Sequence, residues 1–347
     1  MSTSSTAGPD RAPLARKWLL SAVLSVPLLA LALVASLVRH AYLHAPLLLA
    51  GPRIELRIER GASAQRVAAA VRASGIEVPA WWFLLVARLR GDLSQLKAGF
   101  YAVEAPVTLR ALLDRITRGE VTLSEFRLIE GWSFRQLREA LAGATELRQE
   151  LPTLSSAELL ARIGASEPHP EGLFAPDTYR FERDSSDVEL LARAYRRQKT
   201  LLEKAWVSRD PTLPYASPYE VLIMASIIEK ETGRAADRPL IAAVFVNRLR
   251  KGMLLQSDPT TIYGLGSAFD GNLRRADLRR DTEYNTYTRS GLPPTPIAMP
   301  GQASLEAALA PADSPVLYFV ARGDGSSEFS LDLRSHNRAV NRYQKRR

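Results

Sequence analysis

The sequence of 347 residues predicts an α+β protein built behind a single N-terminal transmembrane helix. Three observations predict it: an unbroken apolar run over residues 18–38, a strand-like alternation leading into a capped helix over residues 53–75, and a long apolar-faced helix over residues 218–232 set among loops rich in Pro, Gly, Asn and Tyr. At 46% hydrophobic, the chain can bury one or two domain-sized cores besides the membrane segment.

From Trp18 to Val38 the run WLLSAVLSVPLLALALVASLV carries no charge. At about 1.5 Å per residue, a helix of roughly 20 residues crosses the hydrocarbon layer. A cleaved signal peptide is the rival reading, but the run is longer than an ordinary h-region and no A-x-A site follows it in VRHAYLHAP. Arg11, Arg16 and Lys17 favour a cytoplasmic tail over residues 1–17, although Arg39, Arg53 and Arg57 beyond the helix blunt the asymmetry.

Beyond the anchor, residues 53–59 alternate as a strand does, Gly61 turns the chain, and Ser63 caps a helix that Gly75 stops. A second helix starts near Pro79 and carries Trp81, Trp82, Phe83 and Val86; a strand follows over residues 99–103, and a third helix runs from Thr108 towards Gly119. These elements make a small α+β module over residues 50–122. RLIEGWSFRQLREAL at Arg127 then echoes RIERGASAQRVAAAV at Arg57, either as a second use of the unit or as chance reuse of a common turn.

The charge of +9 comes from Arg scattered along the chain and suits a nucleic acid, an acidic membrane surface or an anionic wall polymer. No basic block with interleaved aromatics is present, which argues against nucleic acid. The absence of Cys excludes disulfides, thiolate zinc sites and Cys nucleophiles, and the four His show no HExxH-type spacing, so neither metal nor cofactor is expected.

The chemistry is sought in SPYEVLIMASIIEKETG. Ser217, Pro218 and Glu220 form an S-x-x-E capping box with Pro in the first turn, and Gly233 supplies a stop. Counting back from Glu231 by three, four and seven reaches Ile228, Ile227 and Met224, which sets this carboxylate on the apolar face. Burial and the negative helix terminus both raise its pKa, the condition for a general acid at neutral pH. A buried salt bridge to Arg is the alternative. Glu229 lies on a more polar face and reads as solvated or as a support for its neighbour.

MASIIEKET, VFVNRLRKGMLLQSDPTTIYGLG and YNTYTRSGLPPTPIAMPG, with EGLFAPDTYRF upstream and YFVARGDG and SHNRAVNRY downstream, resemble the endolytic murein transglycosylases of the MltG (YceG-like) family over residues 53–347. The resemblance implies a LysM-like module over residues 50–122 and a mixed α+β, YceG-like catalytic domain over residues 126–347. It also implies cleavage of the MurNAc–GlcNAc bond within peptidoglycan glycan strands to leave 1,6-anhydro-MurNAc ends. The family's catalytic Glu falls on Glu231. Its implied setting is the inner membrane, with the catalytic domain in the periplasm, peptidoglycan strands as substrate, peptidoglycan synthases as partners and termination of nascent strands as the role.

Asn247, Gln256, Asp258, Thr260, Tyr263, Asn285 and Tyr287 offer amide, hydroxyl and stacking groups suited to N-acetyl sugars. Each also has a bland reading: Asn247 as a helix cap, Tyr263 as core, Asp258 as the turn residue before Pro259. Glu171 and Asp177 are either further carboxylates facing the groove or anchors for backbone amides. One departure stands out, because Ser327 in GSSEF occupies the place of a His frequent in the family, and His336 need not replace it. A lysozyme-like hydrolase and a non-catalytic membrane-anchored scaffold that binds the wall are the competing functions.

Overall fold

The computed structural model describes residues 12–344, with side chains from Pro27 onward. The expected tail over residues 1–17 therefore lies outside the described residues as far as residue 11. Helix α1 (Ala12–Leu43) runs through the expected anchor. Among the described residues, no helix is long and apolar enough to cross a membrane. The side chains of residues 18–26, part of the apolar run, lie outside that description.

The chain divides into two compact units, one ending at Leu123 and the other beginning at Ser124. In the first, α1 and the short strand β1 (Leu48–Leu49) precede β2 (Arg53–Ile58), α2 (Ala64–Ala73), β3 (Ile76–Glu77), α3 (Ala80–Arg90), β4 (Gly99–Glu104) and α4 (Leu109–Arg118). β2 pairs antiparallel with β4, Arg53 opposite Glu104 and Ile58 opposite Gly99, and β1 pairs with β3. Alternation in β2 turns Leu56 and Ile58 inward against Val67, Val71, Phe83, Tyr101, Leu112 and Ile116. Ser63 caps α2 by accepting from the Arg66 amide, and Thr108 does the same for α4 from Ala111.

The second unit opens with the same local plan. β5 (Leu123–Leu128) leads through Gly131, in the left-handed region at φ +75°, to Ser133, which caps α5 (Phe134–Ala142). Gly61 at φ +74° and Ser63 hold the equivalent places ahead of α2. α6 (Ser156–Ile163) and β6 (Asp177–Glu182) complete a βααβ arrangement in which β5 pairs with β6, as β2 pairs with β4 around α2 and α3.

Seven α-helices and a hairpin follow among the described residues: α7 (Asp187–Val207), α8 (Pro218–Glu231), α9 (Arg238–Arg250), α10 (Asp258–Leu265), α11 (Arg275–Arg279), α12 (Gln302–Leu309) and α13 (Leu333–Tyr343), with strands β7 (Tyr318–Ala321) and β8 (Ser327–Ser330). α8 is the centre. Residues 221–228 are all buried, because α7, α9, α10 and α12 pack around it. Two expectations for its ends change. Glu220 accepts from the Ala216 amide, one residue before the Ser217 amide that a capping box would use. The helix is also stopped by Thr232 in extended conformation, without a left-handed Gly233.

Because Ile227 is fully enclosed in this helix, Ile227→Ala should destabilise the second unit by about 2–5 kcal/mol. Hydrogen exchange of the α8 amides under increasing urea reads this; a loss well under about 1 kcal/mol would show that α8 is not the packing centre.

Candidate active site

Glu231 is the last residue of α8, one turn beyond the buried Ile227 and Ile228 and two beyond Met224. That position carries its carboxyl out of the core into a half-buried place where the QSDP segment crosses. There Ser257 Oγ donates to Glu231 Oε1 at 2.6 Å. Ser257 occupies the cap position of α10, yet makes no side-chain cap because its hydroxyl is turned to the carboxylate. Glu231 Oε2 has no hydrogen-bond partner among the described residues, so one oxygen is held and the other is open.

Burial pushes the Glu231 carboxyl up to about 7. The Ser257 hydrogen bond pulls the other way, the Asp258 charge adds to the rise and the Arg248 charge opposes it. The salt bridge weighed for Glu231 is not formed. The buried Arg248 guanidinium instead donates to the carbonyls of Leu317 at 2.7 Å, Leu255 at 2.8 Å and Leu254 at 3.2 Å. It lends Glu231 field without taking its proton-accepting oxygen.

The QSDP segment is fixed from behind. Gln256, in the left-handed region at φ +52°, donates its amide to Thr286 O, while Thr286 Oγ1 accepts from the Ser257 amide at 3.0 Å. Gln256 Oε1 faces Arg248 at 3.4 Å. Asp258 is exposed and accepts from Tyr287 Oη at 2.5 Å. Gln256, Asp258 and Tyr287 thus gather around Glu231.

Three of the expected sugar ligands are committed to the scaffold. Asn285 is fully buried, donating to the carbonyls of Arg280 and Leu278 and accepting from Thr261 Oγ1 and the Tyr287 amide. Thr260, also fully buried, donates to Ser257 O and contacts Thr286 Oγ1. Asn247 neither caps a helix nor faces the cluster: its Nδ2 fastens α9 to the carbonyls of Ser314 and Val316. The polar groups of Asn285 and Thr260 are thus engaged by the scaffold, while Asn247 has its amide nitrogen engaged and its Oδ1 without a hydrogen-bond partner among the described residues.

Glu171 forms a second buried carboxyl. Its Oε1 accepts from the Phe134 amide at 2.8 Å and its Oε2 from Tyr263 Oη at 3.0 Å, and burial pushes it up to about 7. Both oxygens are engaged, which makes it an anchor for the start of α5. Tyr263 is neither free nor simple core, since its ring lies 4.8 Å from that of Tyr284 and its hydroxyl ends on Glu171. Glu171 and Tyr263 wall an open cavity of about 470 Å³ that Arg138 and His169 also line. Asp177 is elsewhere: at the start of β6 it pairs with Arg197 at 2.8 Å and shares no hydrogen bond with this cluster.

Sequence reasoning passed over Ser257 and Arg248. The signal for Ser257 was present, as a Ser immediately before Asp258-Pro259 marks a helix start whose hydroxyl is available. For Glu229 the sequence predicts a solvated or supporting residue. Its Oε2 accepts from the Gly301 amide at 3.0 Å and from Ser304 Oγ at 2.7 Å, tying α8 to the start of α12. Ser327, in the place of the frequent His, opens β8 and gives its amide to Asp237. His336 stacks on Tyr318 with ring centres 5.2 Å apart.

Two outcomes follow. Since the Ser257 hydroxyl stabilises the ionised form, Ser257→Ala should raise the Glu231 pKa, read by NMR titration of its carboxyl carbon; an unmoved titration would deny the coupling. Glu171 holds a proton more tightly folded than unfolded, so its contribution to stability is full below about 4.5 and lost as pH rises through about 7. Glu171→Gln should therefore gain Tm relative to the parent across that window, and a pH-independent difference would count against the buried neutral carboxyl.

The comparisons with known proteins agree on one family. The model of the YceG-like family matches residues 56–342. A protein of Bacillus subtilis named endolytic murein transglycosylase is 31% identical over 307 residues, covering 84% of each chain. One of the same name from Streptococcus pneumoniae is 26% identical over 330 residues, but the match spans only 58% of that longer protein and 83% of this one. The crystal structure of a yceG-like protein from Listeria monocytogenes superposes with a TM-score of 0.50 at 29% identity, over 82% of this chain and 98% of that one. With its family match running through both units and across the Glu231 cluster, this chain belongs to the YceG-like family.

Proposed function

We propose that this chain is an endolytic murein transglycosylase that cuts peptidoglycan glycan strands internally, with Glu231 as its acid and base. The observation that carries the assignment to Glu231 is its half-engaged carboxyl: one oxygen fixed by Ser257, the other open, and the proton retained to about pH 7. Of the two carboxyls raised by burial, Glu171 has both oxygens occupied and Glu231 does not. A general acid needs a proton at working pH and a free edge towards the substrate.

In the reaction, Glu231 gives its proton to the oxygen of the MurNAc–GlcNAc bond as that bond breaks, releasing the GlcNAc hydroxyl. The resulting carboxylate takes the proton of the muramyl C6 hydroxyl as its oxygen bonds to C1. A 1,6-anhydro ring closes, the enzyme regains its proton and no water is consumed. Attack from within the same sugar removes the need for a second carboxylate to direct water. Asp258, whose charge reaches Glu231, accepts from Tyr287 and serves to keep the Glu231 proton in place.

The finer readings belong to the same proposal. Large apolar side chains of α1 at Leu28, Leu29, Leu31, Leu33, Val34, Leu37 and Val38 are exposed, as a membrane anchor requires. This supports a single-pass inner-membrane protein with a periplasmic body. Residues 50–122 are assigned as the LysM-like module and residues 126–347 as the catalytic domain. Gln256, Asp258 and Tyr287 are the substrate contacts beside Glu231. An enzyme so tethered meets strands while synthases are still extending them, a position suited to terminating their growth.

Digestion of stem-peptide-bearing glycan strands, read by mass spectrometry, tests the assignment. The parent should yield internal fragments ending in 1,6-anhydro-MurNAc, one water lighter than a reducing end, and Glu231→Gln should lower the rate about 10²–10⁴-fold. Reducing ends would make the enzyme a hydrolase, and equal activity in the variant would remove Glu231 from the chemistry.

A further inference from the structure

Helix α3 has the composition of a core helix on the surface of its unit. Its sequence AWWFLLVARLR contains no polar uncharged or acidic residue. Phe83, Val86 and Ala87 enter the core, while Trp81, Leu85, Arg88 and Leu89 point outward at a spacing of four, three and one. Trp81 is 68% exposed and Leu89 77%. An ordinary surface helix is polar on its outer face, and an aligned apolar stripe marks a surface that something covers.

The position of α3 in its unit argues what covers it. Arg90, the last residue of α3, hydrogen-bonds Tyr42 Oη in the last turn of α1, and its guanidinium lies 5.9 Å from the Tyr42 ring centre. Arg90 is itself locked by Asp92 at 2.6 Å and by Asp114. The end of α3 is therefore pinned to the turn of α1 just past the point where its exposed apolar residues give way to Arg39 and His40. A Trp, two Leu and a basic residue on one face are the side chains that partition at the lipid headgroup boundary. Arg39 and Arg88, both exposed, have no acidic partner among the described residues and are free to meet anionic headgroups.

We propose that the Trp81–Leu85–Leu89 face of α3 seats in the headgroup region of the bilayer that α1 enters, so that the first unit lies against the membrane. The inference rests on the reading of α1 as a membrane anchor. The bound α3 fixes the height and orientation of the first unit above the bilayer. A tether alone would leave both free.

The chain has no Cys, so a single introduced Cys takes a spin label without background. Full-length Leu85→Cys and Leu89→Cys, labelled and reconstituted in vesicles of phosphatidylethanolamine and phosphatidylglycerol, are compared with Leu33→Cys in α1 and Lys204→Cys in α7. Collision with oxygen against a water-soluble nickel chelate is the readout. At positions 85 and 89 the ratio of oxygen to nickel accessibility should be several-fold above that at 204 and below that at 33. Labels at 85 and 89 that match 204, or that are shielded from both reagents, would overturn the proposal in favour of an aqueous or a protein-covered face. A water-like ratio at 33 would instead overturn the anchor reading, and the proposal with it.

Discussion

The hydrogen bond from Ser257 to Glu231 sets the terms for the second unit, because it forms only if two helices and a loop end at particular residues. α8 must run far enough for Glu231 to leave the core, and α10 must begin at Asp258 so that Ser257 stands at its cap. The loop between α9 and α10 meets this demand at a cost, since a left-handed Gln256 is worth about 1–3 kcal/mol of strain. Thr286 offsets that cost by accepting from the Ser257 amide and receiving the Gln256 amide at its carbonyl. The saturated Asn285 and Thr260 brace the same turn from beneath.

α10 also joins the two carboxyls that burial keeps protonated near neutrality. Ser257 at its start holds Glu231, and Tyr263 six residues on, roughly 9 Å along a helix axis, holds Glu171. The difference between them lies in their remaining partners. Glu171 receives a backbone amide and a phenol and is closed, which makes it an architectural tie to α5. Glu231 receives one hydroxyl, and its second oxygen has no hydrogen-bond partner among the described residues. Burial thus raises both carboxyls to a similar degree, and what distinguishes them is the number of hydrogen bonds each accepts.

Much of the local structure was legible in the residues. The spacing of Leu56 and Ile58, the left-handed Gly61 and the Ser63 cap specify strand, turn and helix within a dozen positions, and the same signals recur at Leu128, Gly131 and Ser133. The apolar face of α8 pointed to Glu231 by counting alone. The polar residues of the loops were less legible, because an Asn or Thr has the same sequence whether it faces a sugar or a backbone carbonyl. Asn247, Asn285 and Thr260 hydrogen-bond to scaffold carbonyls, and Asp177 pairs with Arg197.

The sequence by itself determined the elements of the first unit from β2 to α4, the turn into α5 and the span of α8 with Glu231 on its apolar face, since helical and strand periodicities are local and a carboxylate among Met224, Ile227 and Ile228 is marked wherever α8 packs. Tertiary structure alone decided how that carboxylate is armed. Ser257 lies 26 positions from Glu231, and Arg248 turns to carbonyls up to 69 positions away; pairings over such separations are fixed by packing, which no local pattern encodes. It also decided which polar groups were satisfied, because hydrogen-bond saturation is a property of enclosed space and not of residue type.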